Sequence, residues 1–527
     1  MPGQAQAFSD YRQNGNLYGN TGRNSPNSIF SSIPFPDNAK TYVEVYINDV
    51  GGGGGPLSPG VSIGCDLNGY GPYIYGSGNY NQDTAAAYSG YDGAFTWNGG
   101  SGTSNGGAYG ASTLIGIAVD TTTSSPTISF YKNGTLVGTG TVGSNYRKSL
   151  VVRIDPVTGS STAVGAYINA GQYAFNNLPT GYKALNTANL PEPTIKKGGA
   201  HFNTVLYTGT GSAQSISGVG FQPDLVWSKG RSIATNHHLF DAIRGVYKEL
   251  NSNGTNAEGT DVQLLTAFNS DGFSLGTNSG VNNNGTTFVS WNWKANGAGS
   301  SNTAGTITST VSANATAGFS IVTYTGTLAN ATVGHGLGVA PSMIICKQRS
   351  AANDWIVFHS ALGNTGRLKL NTDDANSTSS TFWNSTSPTS TVFSLGTSNL
   401  GNNTGTYAAY CFSEVAGYSK FGSYVGNGST DGPFVFCNFR PAWIMIKDST
   451  GSGNSWYISD SKRNTYNVVN GRLMANLSND ESTSVSICDF TSNGFKIRTS
   501  DSGWNTSSST YVFAAFAELS FKYANAR

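Results

Sequence analysis

The sequence predicts an all-β chain of several domains, and three observations lead there. Short runs rich in Val, Ile, Thr and aromatic residues, which suit a pleated half-buried surface, alternate with turn-forming stretches that draw on 69 glycines and many Asn, Ser and Thr. Charged residues make up only 11% of the chain while aromatics reach 12%, a pairing that disordered chains lack. The 527 residues exceed one ordinary core and imply three or four domains at roughly 150 residues each.

Composition also narrows the partners. The formal net charge is +1, so no basic face is expected and nucleic acid is not a predicted ligand. A low-charge surface rich in hydroxyls and amides suits neutral glycans or other copies of the chain. The five cysteines, Cys65, Cys346, Cys411, Cys437 and Cys488, are odd in number and contain no C-x-x-C pair, which argues against zinc and redox sites. The start, Met1-Pro2-Gly3-Gln4-Ala5-Gln6, has neither the charged nor the apolar region of a signal peptide. No stretch reaches 18 apolar residues, so no membrane span is expected. An extracellular type of composition without a secretion signal fits a virion protein, assembled in the host cytoplasm and released by lysis.

Along the chain, residues 1–30 are polar and without periodicity and read as an N-terminal arm. From Thr41, Val43, Val45 and Ile47 alternate with Tyr42, Glu44, Tyr46 and Asn48, the period of a strand. Residues 114–120 and 127–131 form the next two strands, and Lys132-Asn133-Gly134-Thr135 supplies an Asn-Gly turn tolerant of positive φ. The run Ile115-Gly116-Ile117-Ala118-Val119-Asp120, followed by Ile128-Ser129-Phe130-Tyr131-Lys132-Asn133-Gly134, resembles the signature of SPRY domains. Residues 31–190 are accordingly read as an SPRY-like antiparallel β-sandwich. Residues 171–179 resemble the closing strand of SPRY-like domains in phage virion proteins. The resemblance implies recognition through loops and no catalytic residue. Glycine-rich insertions at 51–59 and 99–107 set this chain apart from the family's usual ligand surface. Residues 191–201, opening on Pro191-Glu192-Pro193, read as a stiff linker.

The remainder contains a threefold repeat. Pro223, Pro341 and Pro441 each precede an apolar run ending in lysine: Leu225-Val226-Trp227-Ser228-Lys229, Met343-Ile344-Ile345-Cys346-Lys347 and Trp443-Ile444-Met445-Ile446-Lys447. A tyrosine motif begins each unit at Tyr207, Tyr324 and Tyr424, and closing strands recur at 287–291, 406–410 and 510–514. Three related β-sandwich domains are predicted, at 202–297, 318–418 and 419–527, with a linker at 298–317. Each unit is domain-sized and is expected to own its core. The apolar runs are continuous, as in a strand covered on both faces. The SPRY-like head joined to such repeats resembles marine-phage virion proteins.

Candidate sites follow from residue type and spacing. His237, His238 and Asp241 form the densest polar cluster, but the other two units carry Trp355 to His359 and Trp456 to Asp460 in its place, so no repeated metal set exists. Residues 138–143 fit G-x-G-x-x-G, yet they end a hairpin and no helix follows to receive a phosphate. Asp373-Asp374 lies in a polar loop, not across a cleft as a glycosidase pair would. No G-x-S-x-G elbow occurs. The ligand-binding candidates are aromatic: Tyr70, Tyr73, Tyr75, Tyr80 and Trp97, set among glycines where exposed rings would stack on sugars. The competing reading turns alternate tyrosines into the sandwich. Further recognition loops are expected where the repeats diverge most, at 251–261, 373–387 and 449–455.

The sequence therefore predicts a virion structural or adhesion protein of tail-fibre or capsid-fibre type. It would bind other virion proteins, associate with itself as a trimer, and contact a host-surface glycan or protein receptor. No catalysis, cofactor or metal is expected. The alternatives are a secreted bacterial lectin-like adhesin or surface-layer protein and, with less support, a polysaccharide-active enzyme.

Overall fold

A computed structural model describes residues 194–518 continuously and, before them, the strands named below with residues 38–50, 112–141, 173–186 and short neighbouring pieces. The chain is all-β and its sheets are antiparallel apart from one short parallel pairing. It divides into two units, Met1–Glu192 and Pro193–Arg527.

The first unit is a sandwich of two sheets. One runs Arg12–Gln13, Tyr18–Asn20, Val164–Asn169, Lys40–Val50, Thr113–Asp120, Thr127–Lys132, Thr135–Thr141. The other runs Thr103–Ser104, Ala94–Trp97, Ala86–Ser89, Ser58–Ile63, Leu150–Asp155, Asn27–Phe30. Val43, Val45 and Ile47 turn inward against Ile115, Ile117, Val119, Ile128 and Phe130, as the alternation requires. Asn133 and Gly134 have φ of 47° and 82°, the left-handed pair that matches hairpin twist.

Two expectations for this unit change. The polar 1–30 segment is not only an arm: Tyr18–Asn20 pairs with Val164–Asn169, and Asn27–Phe30 pairs with Leu150–Asp155. Strand pairing uses backbone groups that every residue carries, so it leaves no apolar period to read. The described residues of 171–179 form no strand. The amides of Asn176 and Asn177 donate instead to the buried Glu44 carboxylate at 3.0 Å each, and Phe175 packs edge-on against Tyr42 at 5.2 Å. The strand that closes the sheet is Val164–Asn169.

The second unit carries one strand order three times. In the first repeat the main sheet runs Phe202–Thr208, Thr287–Trp293, Leu225–Gly230, His238–Asp241, Lys248–Asn251. The second runs Phe319–Thr325, Thr406–Phe412, Met343–Gln348, Ile356–His359, Gly366–Lys369. The third runs Ser419–Val425, Thr510–Ala517, Pro441–Asp448, Tyr457–Asp460, Leu473–Met474. A small outer sheet accompanies each: Gln214–Ser217 with Gly272–Leu275, Ala331–Gly334 with Val392–Leu395, and Phe434–Phe436 with Gly494–Ile497.

Each repeat has an outer core between its two sheets, as expected, but all three also share a fourth. Val226 enters the first outer core, Ile344 and Cys346 the second, Ile444 and Ile446 the third. The alternate residues Leu225, Trp227, Met343, Ile345, Trp443 and Met445 meet in one central core with Trp291, Trp293, Tyr410, Phe412 and Phe516. This two-sided burial is why the central strands read as unbroken apolar runs. A cavity of about 10 Å³ remains at this centre, lined by residues of all three repeats. Residues 298–317, expected as a linker, instead hold the strands Ser300–Asn302 and Ser309–Asn314, which extend the second main sheet.

Candidate functional site

The aromatic candidates divide. Tyr70 and Tyr73 lie outside the described residues. Tyr75 and Tyr80 sit on a two-stranded hairpin, Ile74–Tyr75 with Asn79–Tyr80. Trp97 belongs to Ala94–Trp97, half-buried, its ring 5.9 Å from those of Phe95 and Phe130. The glycines of the G-x-G-x-x-G match explain the neighbourhood. A Cβ on Gly138 would lie 2.7 Å from the Phe95 ring, and one on Gly140 would lie 2.2 Å from that of Trp97. These glycines let two aromatic rings rest on bare backbone and hold no phosphate. Trp97 thus closes the sandwich edge. The described aromatics of this unit that do face outward are Tyr46, Tyr167 and Tyr173.

His237, His238 and Asp241 do not converge. His237 is fully buried and accepts from the Trp227 indole at 2.9 Å. Burial holds its imidazole well below the usual range, with Lys229 adding to the effect. His238 turns to the other face and meets Glu249 at 2.7 Å. Burial alone would raise the Glu249 carboxyl, but His238 and Asn251 outweigh it and hold it low. Asp241 points into the contact with the second repeat. Among the described residues no cluster of His, Cys, Asp or Glu is arranged to hold a metal ion.

The organised polar chemistry lies at three seams, where each repeat meets the next around the shared core. At the seam of repeats one and two, Asp241 accepts from Arg244 at 2.5 Å and from the Tyr410 hydroxyl at 2.8 Å. Arg244 reaches Glu258 at 3.4 Å, and Glu258 takes both a 2.8 Å and a 3.0 Å hydrogen bond from Arg349 of the second repeat. The Glu258 amide donates to the Arg349 carbonyl. The seam of repeats three and one repeats this design. Asp460 accepts from Arg463 at 2.6 Å and from the Trp291 indole at 3.0 Å. Arg463 reaches Glu481, which binds Arg231 at 2.5 Å. Burial raises the Glu258 carboxyl, but the two arginines overcome it and hold the group below its ordinary range.

The seam of repeats two and three is built without charge at these positions. His359 replaces Asp241 and Asp460, Leu362 replaces Arg244 and Arg463, Asn376 replaces Glu258 and Glu481, and Ser449 replaces Arg349 and Arg231. Where the other seams offer Tyr410 or Trp291 as donor, the third repeat has Ala514. With no donor to receive, an acceptor there would be orphaned. His359 supplies the missing donor, and its Nε2 meets the Phe513 carbonyl at 3.1 Å. Burial pulls its imidazole down to about 4, so it is neutral and keeps the single N–H this bond needs.

Lys229, Lys347 and Lys447 are buried beside these seams and donate to the carbonyls of Gly230, Gln348 and Asp448 at 2.8, 2.6 and 2.6 Å. Lys229 also reaches Ser478 of the third repeat, and Lys447 reaches Asp373 of the second. Burial lowers all three ammonium groups to about 8.

The divergent loops expected to recognise a receptor are the seam loops. Trp355 donates its indole N–H to Asn251, and the Asn353 amide donates to Thr255. The Gly453 amide donates to Asp373, and that of Asn376 to Ser449. Asp374 adds an exposed contact to Lys369 at 3.5 Å. Residues 251–255 close the seam of repeats one and two, while 373–376 and 449–453 meet each other across that of repeats two and three.

Sequence reading also missed a device common to all repeats. Asn282, Asn402 and Asn505, buried in single-turn helices, donate to the carbonyls of Gly276, Gly396 and Thr499. Their side-chain oxygens accept from the amides of Thr210, Thr327 and Asn427. Each side chain ties the helix to the loop after the first strand. Recurrence of Asn-Asn-Asn-Gly-Thr, Asn-Asn-Thr-Gly-Thr and Asn-Thr-Ser-Ser-Ser just before the closing strands was the available signal.

Residues 197–520 match a family described as Domain of unknown function (DUF7483). The chain belongs to this family. The match spans all three repeats, so the family's unit is the whole threefold body and not a single repeat. Among solved structures, a human SPRY domain is 18% identical over 30% of this chain and 94% of its own, with a TM-score of 0.23. The SPRY domain of human HERC1 is 19% identical over 31% and 93%, with a TM-score of 0.24. A GH131 β-glucanase catalytic domain from Podospora anserina is 10% identical over 30% and 68%, with a TM-score of 0.16. These likenesses concern fold alone. No curated protein matches the chain.

Proposed function

We propose that this protein is a non-catalytic recognition and assembly component of a virus particle, of tail-fibre or capsid-fibre type, that contacts a neutral host-surface glycan. One observation carries the reading. The fully buried carboxylate–guanidinium pairs of the second unit, with the pairs that extend them, serve its own seams: Asp241, Arg244, Glu258 and Arg349 hold one, and Asp460, Arg463, Glu481 and Arg231 hold another. Such a body is a rigid support, and recognition on rigid supports falls to loops. The near-zero net charge suits a neutral partner.

In this reading the protein joins other virion proteins and its own copies, and the particle supplies many weak sites at once. The deciding experiment is mass spectrometry of phage particles grown on the host of this gene, together with adsorption of the purified full chain to host cells. The chain should be a stoichiometric particle component and should bind cells with little dependence on salt. Its absence from particles would end the virion reading. Release of sugar from host polysaccharide by the purified chain would replace it with an enzymatic one.

A further inference from the structure

The three repeats differ at one place that closes no seam. Leu250 follows Asp241 by nine positions and Leu368 follows His359 by nine, but Leu473 follows Asp460 by thirteen. In the first two repeats the connection turns tightly at Gly245 and Gly363, with φ of 87° and 74°. The third repeat has Asn464 there and carries four extra residues.

The extra loop is anchored at both ends. Arg463 is tied to Asp460 and Glu481 on one side. Val469 is buried in the outer core on the other, and its amide donates to the Cys488 carbonyl at 2.8 Å. Between them the Asn467 side chain pairs with both backbone groups of Phe490, donating at 3.0 Å and accepting at 2.9 Å. Asn464 binds Asn470 and the Gly471 amide. What this frame presents is Tyr466, 83% exposed, with Val468 beside it. Nothing in the fold uses the Tyr466 ring, and the chain bears its exposure to water.

We infer that the 464–468 tip is a glycan-binding site in which a neutral pyranose ring stacks on Tyr466. The surroundings select this ligand. The ring stands alone, whereas a protein hot spot needs a desolvated cluster of anchors. Thr465 adjoins it on the tip, and the hairpin that Asn467 grips at Phe490 turns through Ser492 and Asn493, so the polar groups of both segments are hydroxyls and amides. The charges Arg440 and Arg498 are paired with Glu518 and Asp489, and the exposed Lys462 is the remaining charge next to the tip. A tyrosine on an already ordered loop binds at low entropic cost.

The inference rests on the glycan reading proposed above, and the test separates the two. The full chain, Tyr466→Ala, Tyr466→Phe and a variant lacking residues 465–468 are applied to an array of neutral polysaccharides and to dextran and galactomannan affinity gels. Tyr466→Ala should weaken binding about tenfold, the scale of one lost aromatic contact. Tyr466→Phe should retain it, and the thermal midpoint should stay within about 1 °C because the side chain is exposed. Binding by the wild-type chain that Tyr466→Ala and the deletion leave unchanged would place the site elsewhere and overturn this inference alone. A wild-type chain that binds no neutral glycan in any format would overturn the glycan reading with it.

Discussion

Two of the three seams in the repeat body carry buried carboxylate–guanidinium pairs and the third has none at the corresponding positions, although all three join the same fold. At the first two, Asp241 with Arg244 and Asp460 with Arg463 are fully buried pairs, extended by Glu258 with Arg349 and by Glu481 with Arg231. At the third, His359, Leu362, Asn376 and Ser449 stand in the corresponding places. The partner side chain explains the switch. Tyr410 and Trp291 bring donors that an aspartate accepts, while Ala514 brings none, and a buried aspartate facing it would lack its partner. Ala514 and Ser449 on one face are thus matched by His359, Leu362 and Asn376 on the other. Charge at a seam gives direction and register more surely than it gives stability, because desolvation offsets most of the attraction.

The comparison breaks most visibly at the buried pairs. Arg463→Ala or Arg244→Ala should cost about 3–5 kcal/mol, because an uncompensated carboxylate stays buried. Replacing Asp460 and Arg463 together by Leu and Met should cost far less. Denaturant unfolding of both variants checks this, and equal losses would mean that the charge itself, not its pairing, holds the seam.

The next effect should not distinguish the repeats. Asn282→Ala, Asn402→Ala and Asn505→Ala each strand the same buried loop amides and carbonyls, so each should lose about 2–4 kcal/mol from two or more unsatisfied groups. A loss confined to one repeat would show that the device is not shared in energy as it is in geometry.

The seam of repeats two and three should carry an acid-sensitive group of its own. The His359 imidazole titrates near 4 in the fold and near its ordinary 6.5 when unfolded. Between those values the unfolded chain binds more protons, so stability is full above pH 6.5 and is lost as pH falls toward 4, by up to about 1.4 kcal/mol per pH unit. His359→Gln should flatten that part of the profile. His237 and His335 are also held low by burial and add to the acid loss of the whole body, so the comparison must be between variant and parent. An unchanged slope would mean that His359 titrates alike in the folded and unfolded chain.

The lysines act at the opposite end of the scale. Lys229, Lys347 and Lys447 are lowered to about 8. Between pH 8 and their ordinary 10.5 the unfolded chain again binds more protons, so their contribution to stability rises with pH there. Lys347→Met should remove its share of that rise while leaving stability at pH 7 within about 1 kcal/mol. The smallest effect belongs to the exposed pair Lys420 and Glu414, 2.7 Å apart, where Glu414→Gln should change stability by no more than about 0.5 kcal/mol.

Legibility in the sequence followed chemistry. The strands Thr113–Asp120 and Thr127–Lys132 were readable because their apolar runs, and the Asn-Gly turn from the second into Thr135–Thr141, are local signals. The polar strands Tyr18–Asn20 and Asn27–Phe30 were not, since pairing by backbone alone leaves no pattern. Trp97 was read as a ligand platform because glycines surround it, but those that matter, Gly138 and Gly140, lie on a strand across the sandwich and make room for rings. Divergence among repeats at 251–261, 373–387 and 449–455 was read as recognition, and parts of these loops also make bonds across the seams, a role no local pattern announces.

The sequence by itself determined the all-β class, the three repeats and the two-sided burial of each central strand, because these depend on periodicity and on spacing within one stretch of chain. Only the tertiary structure decided that the repeats share a core, that Asp241 meets Tyr410 while Asp460 meets Trp291, and that four added residues hold Tyr466 in solvent. Those facts depend on which side chains meet across more than 160 residues of chain, as the separations of 169 between Asp241 and Tyr410 and between Trp291 and Asp460 show. No local pattern encodes a partner that distant; the closing of three sheets around one axis does.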